Sequence, residues 1–274
     1  IIKELTLLTI QKLHDVKKLQ KECETQGDFQ LKLNWDMLEN RDTTQLDFFQ
    51  YEKGELVAFL ALYPFGSTVE VCGMVKPNER QKGIFSSLFK KGLEIALQNG
   101  YKEILLNAPS ESHSAKIFLN KQGAIYKFTE HQMKWQDSLL EPVEDVTLRK
   151  ATVEDLDIST RLSIEAFGMS KENALSAETD DMLMIEINEK TVGKLRLKRT
   201  DKQTWISFFS ILPEYQGKGI GRKVLQKVIK NQLSDGFSVH LEVETKNDHA
   251  LGLYKTVGFK VVHSQDYYLY QPHK

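Results

Sequence analysis

The chain has 274 residues, more than a single hydrophobic core usually serves, so two domains of about 130 residues each are the first expectation. With 27% charged residues, 41% hydrophobic residues and a net charge of -1, it has an ordinary globular composition and offers no electrostatic case for a nucleic-acid partner. No apolar run approaches the roughly 18 residues of a membrane span, and Cys23 and Cys72 fit no metal-ligand spacing, so a reduced, cytoplasmic setting without metal or membrane is expected.

The chain opens on Ile1 rather than Met, so its first residue is not expected to be the natural start, and nothing there reads as a signal-peptide core. Leu5–Ile10 reads as a strand leading into a helix over Gln11–Cys23. Phe48–Tyr51 and Leu56–Leu62 are strand-like and flank a turn at Glu52–Glu55. Val69–Val75 follows as a further strand in which Cys72 reads as a small buried hydrophobe. Then comes Pro77-Asn-Glu-Arg-Gln-Lys-Gly-Ile-Phe85, a turn entering a helix whose Phe85, Leu88, Phe89, Leu93, Ala96 and Leu97 share one face. At Glu141–Asp145 the periodicity lapses and charge accumulates. That marks a domain boundary, giving residues 1–142 and 143–274.

The second half repeats the plan. Val146–Leu156 is a short strand followed by a capped helix start, with Thr152 as N-cap and Asp155 three residues on. Leu183–Ile187 and Thr191–Leu197 pair about the turn Asn188–Lys190. The basic run Lys194–Arg199 alternates as a solvated strand face rather than a nucleic-acid patch. Strand-like Trp205–Ile211 leads into Leu212-Pro-Glu-Tyr-Gln-Gly-Lys-Gly-Ile-Gly-Arg222 and then a helix over Lys223–Leu233. Gly217, Gly219 and Gly221 are expected to take positive φ and let the backbone approach a ligand. The helix that follows would aim its free N–H groups at that turn, a natural seat for a diphosphate. The glycine intervals match neither a Walker A loop nor the dinucleotide G-x-G-x-x-G. Farther on, Leu241 and Val243 alternate as a strand, Asn247 can cap a helix and Gly258 can stop it. The tail Gln265–Tyr270 reads as a last strand, with Tyr267 or Tyr268 as core or as lining of an acceptor pocket. Arg80 precedes Ala115 by 35 residues and Gln216 precedes Ala250 by 34, near-equal intervals that argue for duplication of one α/β unit with a mixed sheet.

Gln216-x-x-Gly219-x-Gly221 resembles the acetyl-CoA loop of the GNAT superfamily of acetyltransferases. The stretch Asn247-x-x-Ala250-x-x-Leu253-Tyr254 followed by Gly258-Phe259 is similar to that superfamily's second signature. The resemblance is strong over 146–270 and weak over 1–140. It implies two tandem GNAT-like domains, each a mostly antiparallel mixed sheet flanked by helices. It also implies transfer of acetyl from acetyl-CoA to an amine, either a small molecule or a peptide N-terminus.

On this resemblance the backbone of Phe209, Ser210 and Ile211 pairs with the pantetheine arm. Gln216, Gly217, Lys218, Gly219, Ile220, Gly221 and Arg222 hold the diphosphate, and Asn247 serves the pantetheine or cysteamine arm or simply caps its helix. Tyr254 is the group that serves the leaving thiol. Glu242 is the base, at a spacing similar to that in ribosomal-protein N-terminal acetyltransferases, with Glu244 as its competitor. In the first unit Leu119, Asn107, Ser112 and Phe85 stand at the positions of Tyr254, Glu242, Asn247 and Gly221. That unit is therefore expected to be degenerate, and the chain to work as a monomer or homodimer. The alternative reading is a non-catalytic acyl-CoA-binding regulatory or interaction module.

Overall fold

Two hairpins with the same turn set the register in both halves of the chain. Lys53 and Gly54 (φ 49° and 82°) and Asn188 and Glu189 (49° and 62°) occupy the left-handed region in succession, as a type I′ turn between antiparallel strands requires. The computed structural model describes residues 9–41, 45–179 and 181–271. Its elements run α1 (Ile10–Gly27), α2 (Trp35–Glu39), β1 (Asp47–Glu52), β2 (Glu55–Phe65), β3 (Thr68–Val75), α3 (Ile84–Gln98), β4 (Glu103–Pro109), α4 (His113–Lys121) and β5 (Ile125–Trp135). They continue with β6 (Thr147–Lys150), α5 (Leu156–Phe167), α6 (Lys171–Ser176), β7 (Met182–Ile187), β8 (Lys190–Thr200), β9 (Gln203–Ile211), α7 (Ile220–Ser234), β10 (Ser238–Glu244), α8 (Asp248–Val257) and β11 (Phe259–Tyr270). The strand expected over Leu5–Ile10 falls mainly outside the described residues. Ile10 itself opens α1, where Thr9 caps the first turn. None of the described helices is long and apolar enough to cross a membrane.

The chain divides into two compact units, residues 1–130 with 263–274 and residues 131–262. A single cut near residue 142 does not separate these bodies, because β5 and β11 each begin in one unit and end in the other. Strand pairing decides membership here: Gln265–Tyr270 runs antiparallel to Ile104–Pro109.

In the first unit β1, β2, β3, β4 and β11 are neighbours in that order, with only β3 and β4 parallel. One face packs on α3 and α4 through residues such as Leu60, Leu88, Phe89, Leu106 and Leu119. The opposite face packs on α1 and α2 through Val16, Leu19, Leu38, Phe59, Tyr63 and Met74.

The second unit orders β6, β7, β8, β9 and β10, with only β9 and β10 parallel. Its main core lies under α7 and α8, where Val224, Leu225, Val228 and Ile229 meet Leu195, Ile206, Val239 and Leu241. The face toward α5 holds a much smaller apolar set centred on Leu162, Met184 and Leu212. Each unit is thus a mostly antiparallel mixed sheet between helices.

Helix ends follow the local chemistry read from the sequence. Thr152 and Asp155 form a reciprocal capping box, and Arg149 beside Asp155 holds that carboxyl down to about 2. Asn247 caps α8, accepting from Ala250 N at 3.1 Å, and Gly258 ends it in the left-handed region at φ 110°.

Candidate active site

The second unit has an opening between its two parallel strands. β9 and β10 pair only from Gln203–Ser238 to Ile206–Leu241. On the other edge of β9, Lys194 faces Ser210 while Arg196 faces Ser207, so β9 carries one extra residue. Phe208 in that bulge takes φ 50°, a conformation that costs an L-residue about 1–2 kcal/mol. Bulges bend a strand and interrupt its pairing. Gly193 lies across from this bulge; a Cβ there would sit 2.3 Å from the Ser210 carbonyl oxygen, so only glycine permits the approach. Among the described residues, the β10-facing edge of Ser207–Ile211 consequently has no strand partner. Phe209 and Ile211 pack toward the α7 core. Phe208 lies on the other face, edge-on to Phe167 of α5 with ring centroids 5.7 Å apart. The Ser210 hydroxyl is buried and accepts no partner among the described residues.

The glycine loop sits at the end of that strand. Gln216 donates from Nε2 to the Ile211 carbonyl at 2.8 Å, tying the loop to β9. Gly217 and Gly219 take φ 72° and 76° with open space where a Cβ would stand. Gly221 differs from the expectation: it lies inside α7 without positive φ. A Cβ there would come within 3.1 Å of Leu253 Cδ2 and 3.8 Å of the Phe209 ring. Ile220 turns its side chain into the core. Lys218 Nζ donates to the Glu214 carbonyl at 2.8 Å and lies over the Tyr215 ring. The Arg222 guanidinium bonds the Thr256 carbonyl and Oγ1 at 3.2 and 2.8 Å. Both basic side chains thus stand at the helix N-terminus but are bonded to protein groups.

Glu242 and Tyr254 occupy opposite faces beside the opening. On β10, Val239, Leu241 and Val243 enter the α7 core, so His240 and Glu242 point to the α5 face. There Gln132 of β5 donates from Nε2 to Glu242 Oε1 at 2.9 Å, which fixes the carboxylate's direction. No local signal pointed to Gln132, because it meets Glu242 across 110 residues of chain. Glu244, the competing carboxylate, is exposed at the strand end. Tyr254 is buried in the core on the other face, its ring 6.0 Å from that of Phe259. Burial pushes its hydroxyl up to about 12, so it keeps its proton at neutral pH. Among the described residues that hydroxyl bonds to nothing. His240 stacks on Trp205. Burial, with a smaller effect from Lys134, lowers its imidazole to about 4.

Lys194 is not on a solvated face: its side chain is fully buried, and Nζ donates to Ser159 Oγ, Ser163 Oγ and Glu178 Oε1 at 2.8, 2.7 and 2.7 Å. Alternation assigned Lys194 a face, but only the fold brings the serines of α5 and Glu178 to that face.

The first unit repeats the loop without the rest. Gln81 and Gly83 take φ 63° and 80° where Gly217 and Gly219 stand in the second, and Arg80 Nε bonds the Val75 carbonyl as Gln216 bonds Ile211. Strand β3, however, pairs with β2 in unbroken register from Ala58–Val75 to Phe65–Thr68, so it has no bulge. Leu119 and Asn107 are both buried. Tyr267 and Tyr268 belong to this unit, where Tyr267 stacks on Phe128 and Tyr268 meets Tyr126. Buried Cys72 has its thiol pushed up to about 12 by desolvation.

A model of the acetyltransferase (GNAT) family matches residues 11–124 and again 148–259. The chain belongs to that family, and it carries the family unit twice. It is 42% identical over 71 residues to the N-alpha-acetyltransferase RimI of Mycobacterium tuberculosis, covering 26% of this chain and 44% of that protein. It is 35% identical over 60 residues to the spermine/spermidine N(1)-acetyltransferase of Bacillus subtilis, covering 21% of this chain and 40% of the other. The matched stretches therefore span less than half the length of either curated relative. Two solved structures share the fold over most of the chain. A GCN5-related N-acetyltransferase from Sphaerobacter thermophilus superposes with a TM-score of 0.78 at 20% identity, covering 93% of this chain and 91% of its own. A tandem GNAT protein from the clavulanic acid biosynthesis pathway gives 0.64 at 15% identity, covering 83% of each.

Proposed function

We propose that the C-terminal unit transfers acetyl from acetyl-CoA directly to an amine, a small molecule or a peptide N-terminus. The observation that carries this reading is the gap beyond Ile206 and Leu241, with Glu242 on one face and the protonated Tyr254 on the other. A thioester entering that gap would present its carbonyl to one side and its sulfur to the other. The unpaired edge of Phe209–Ile211 suits the amides of the pantetheine arm, and the N–H groups of residues 217–222 suit the diphosphate.

The chemistry needs two proton-handling groups. A primary amine near pKa 10 costs about 4–5 kcal/mol to deprotonate at neutral pH. Glu242, directly or through a water, takes that proton as the amine nitrogen attacks the thioester carbonyl. The tetrahedral adduct then breaks its C–S bond and leaves the acetylated amine. The departing sulfur, an ordinary thiol of pKa near 8.5, is a weaker base than the Tyr254 phenolate. Tyr254 therefore acts by donating a hydrogen bond to the developing thiolate, with the proton completing transfer from solvent.

The decisive test is calorimetric titration of acetyl-CoA into the full chain, followed by turnover on a panel of amines. Binding, with turnover reduced by a hundredfold or more in Glu242→Gln, supports the reading. Absence of binding sinks it, and binding without turnover on any amine leaves only an acyl-CoA-binding module.

A further inference from the structure

Two rows of side chains cross the α5 face of the second unit at the closed end of the gap. Arg196 pairs with Ser207 and Lys198 with Trp205, while Trp205 also pairs with His240. Ser207 and Glu242 are the first residues beyond the last β9–β10 pair, Ile206 with Leu241. Gln132 of β5 donates to Glu242. Lys134, two residues on, stands beside His240, where it adds to the lowering of that imidazole by burial. Met133, Leu195, Leu197, Ile206 and Leu241 all enter the α7 core, so the residues alternating with them share the opposite face. The first row is therefore Arg196, Ser207, Glu242 and Gln132, and the second is Lys198, Trp205, His240 and Lys134.

The second row is basic and aromatic, and same-face neighbours along a strand lie about 7 Å apart. The Trp205 and His240 rings stack with centroids 5.0 Å apart, a flat floor between the two lysines. Lys134 is exposed. Burial lowers the ammonium of Lys198, a cost that an added anion offsets. Arg196, in the first row, is bonded to Asp181 at 2.8 Å. No carboxylate stands in the second row, and the row beyond it, Thr200, Gln203 and Ser238, is uncharged.

The acetyltransferase reading, on which this inference rests, lays the pantetheine arm along Phe209–Ile211 at the open end of the gap. An acceptor with its amine at Glu242 then extends the other way, over the second row. There both lysines repel a second ammonium and attract a carboxylate. We propose that the acceptor is an amine carrying a carboxylate about 7 Å from its nitrogen, selected by Lys134 and Lys198. The stem between the two groups lies on the Trp205–His240 floor. The lysines set specificity and take no part in the chemistry.

Steady-state kinetics of the full chain with acetyl-CoA tests this on three amines of similar length: ε-aminocaproate, hexylamine and hexamethylenediamine. In kcat/KM the first should exceed the second at least tenfold, and the diamine should be poorest. In Lys134→Glu the advantage of ε-aminocaproate over the diamine should fall at least tenfold, the change lying in KM rather than kcat. Two peptides differing only in Asp or Lys at the second position identify the source of the carboxylate. An Asp peptide preferred to both its Lys counterpart and ε-aminocaproate marks a peptide N-terminus, and the reverse order against ε-aminocaproate marks a small amino acid. Acetylation with no preference for the carboxylate in either series would overturn the proposal and leave the acetyltransferase reading intact. A preference that Lys134→Glu does not alter would do the same. No turnover of any amine, with acetyl-CoA bound, would overturn both.

Discussion

Adding one methyl group at Gly193 should damage the gap more than the fold. The new Cβ would stand 2.3 Å from the Ser210 carbonyl oxygen and 3.1 Å from Ile211 Cα, both backbone atoms of β9. Carbon–oxygen contacts settle near 3.3 Å or beyond, so β8 and β9 must part by about 1 Å at the bulge. Forced overpacking of this kind costs roughly 1–3 kcal/mol, which urea unfolding would report as a lowered midpoint. The displaced residues are those proposed to seat the pantetheine arm, and a misplacement of about 1 Å can cost on the order of a hundredfold in rate. Gly193→Ala should therefore lower kcat/KM for acetyl-CoA by about that factor, with the larger part in kcat. Gly252 supplies the control: it lies inside α8 with nothing within 4 Å of a Cβ, so Gly252→Ala should stabilise by about 0.5–1 kcal/mol. If Gly193→Ala matched Gly252→Ala in both stability and kinetics, the bulge would not be the constraint described.

Three further outcomes follow from the second unit. Tyr254→Phe should lower kcat by roughly 100-fold while leaving acetyl-CoA affinity nearly unchanged; an unchanged kcat removes the hydroxyl from the mechanism. Lys194→Ala should cost about 3–5 kcal/mol in denaturant titration, because it takes the cation from the Glu178 carboxylate and leaves it bonded to the Ser159 hydroxyl. A loss under 1 kcal/mol would mean the cluster reorganises freely. His240, lowered from 6.5 to about 4 in the folded chain, binds fewer protons folded than unfolded between those values. Its neutral form thus stabilises fully above pH 6.5, and stability falls by up to about 3 kcal/mol as pH drops toward 4. His240→Gln should flatten that slope; an equal slope in the variant would assign it to other groups.

The parts legible in the sequence were those decided within a few residues. A glycine freeing φ, an Asn or Thr capping a helix and a two-residue turn between alternating strands are local events, and Gly217, Gly219, Asn247, Gly258 and Thr152 all behave accordingly. The repeat was legible because both copies keep the loop and its intervals. What escaped depends on partners far along the chain. Gln132 reaches Glu242 only through strand pairing, and Lys194 is buried only because Ser159, Ser163 and Glu178 arrive over it. The bulge at Phe208 arises from a mismatch with β8 that the run Trp205–Ile211 does not announce. Gly221 was assigned the wrong reason: it lies in α7 without positive φ, and a Cβ there would press only on Leu253, at 3.1 Å.

The pairing of β11 with β4 has a consequence for biosynthesis. The first unit comprises residues 1–130 and 263–274, so its sheet stays open along β4 until the strand carrying Tyr267 and Tyr268 has been made. At about 5–20 residues per second, a nascent chain that has emitted residue 130 waits on the order of 7–27 s for that strand. Throughout that interval the edge Ile104–Pro109 lacks the partner it has in the finished protein. The N-terminal unit should therefore acquire protease resistance late, together with or after the C-terminal unit, whose core is complete at Phe259.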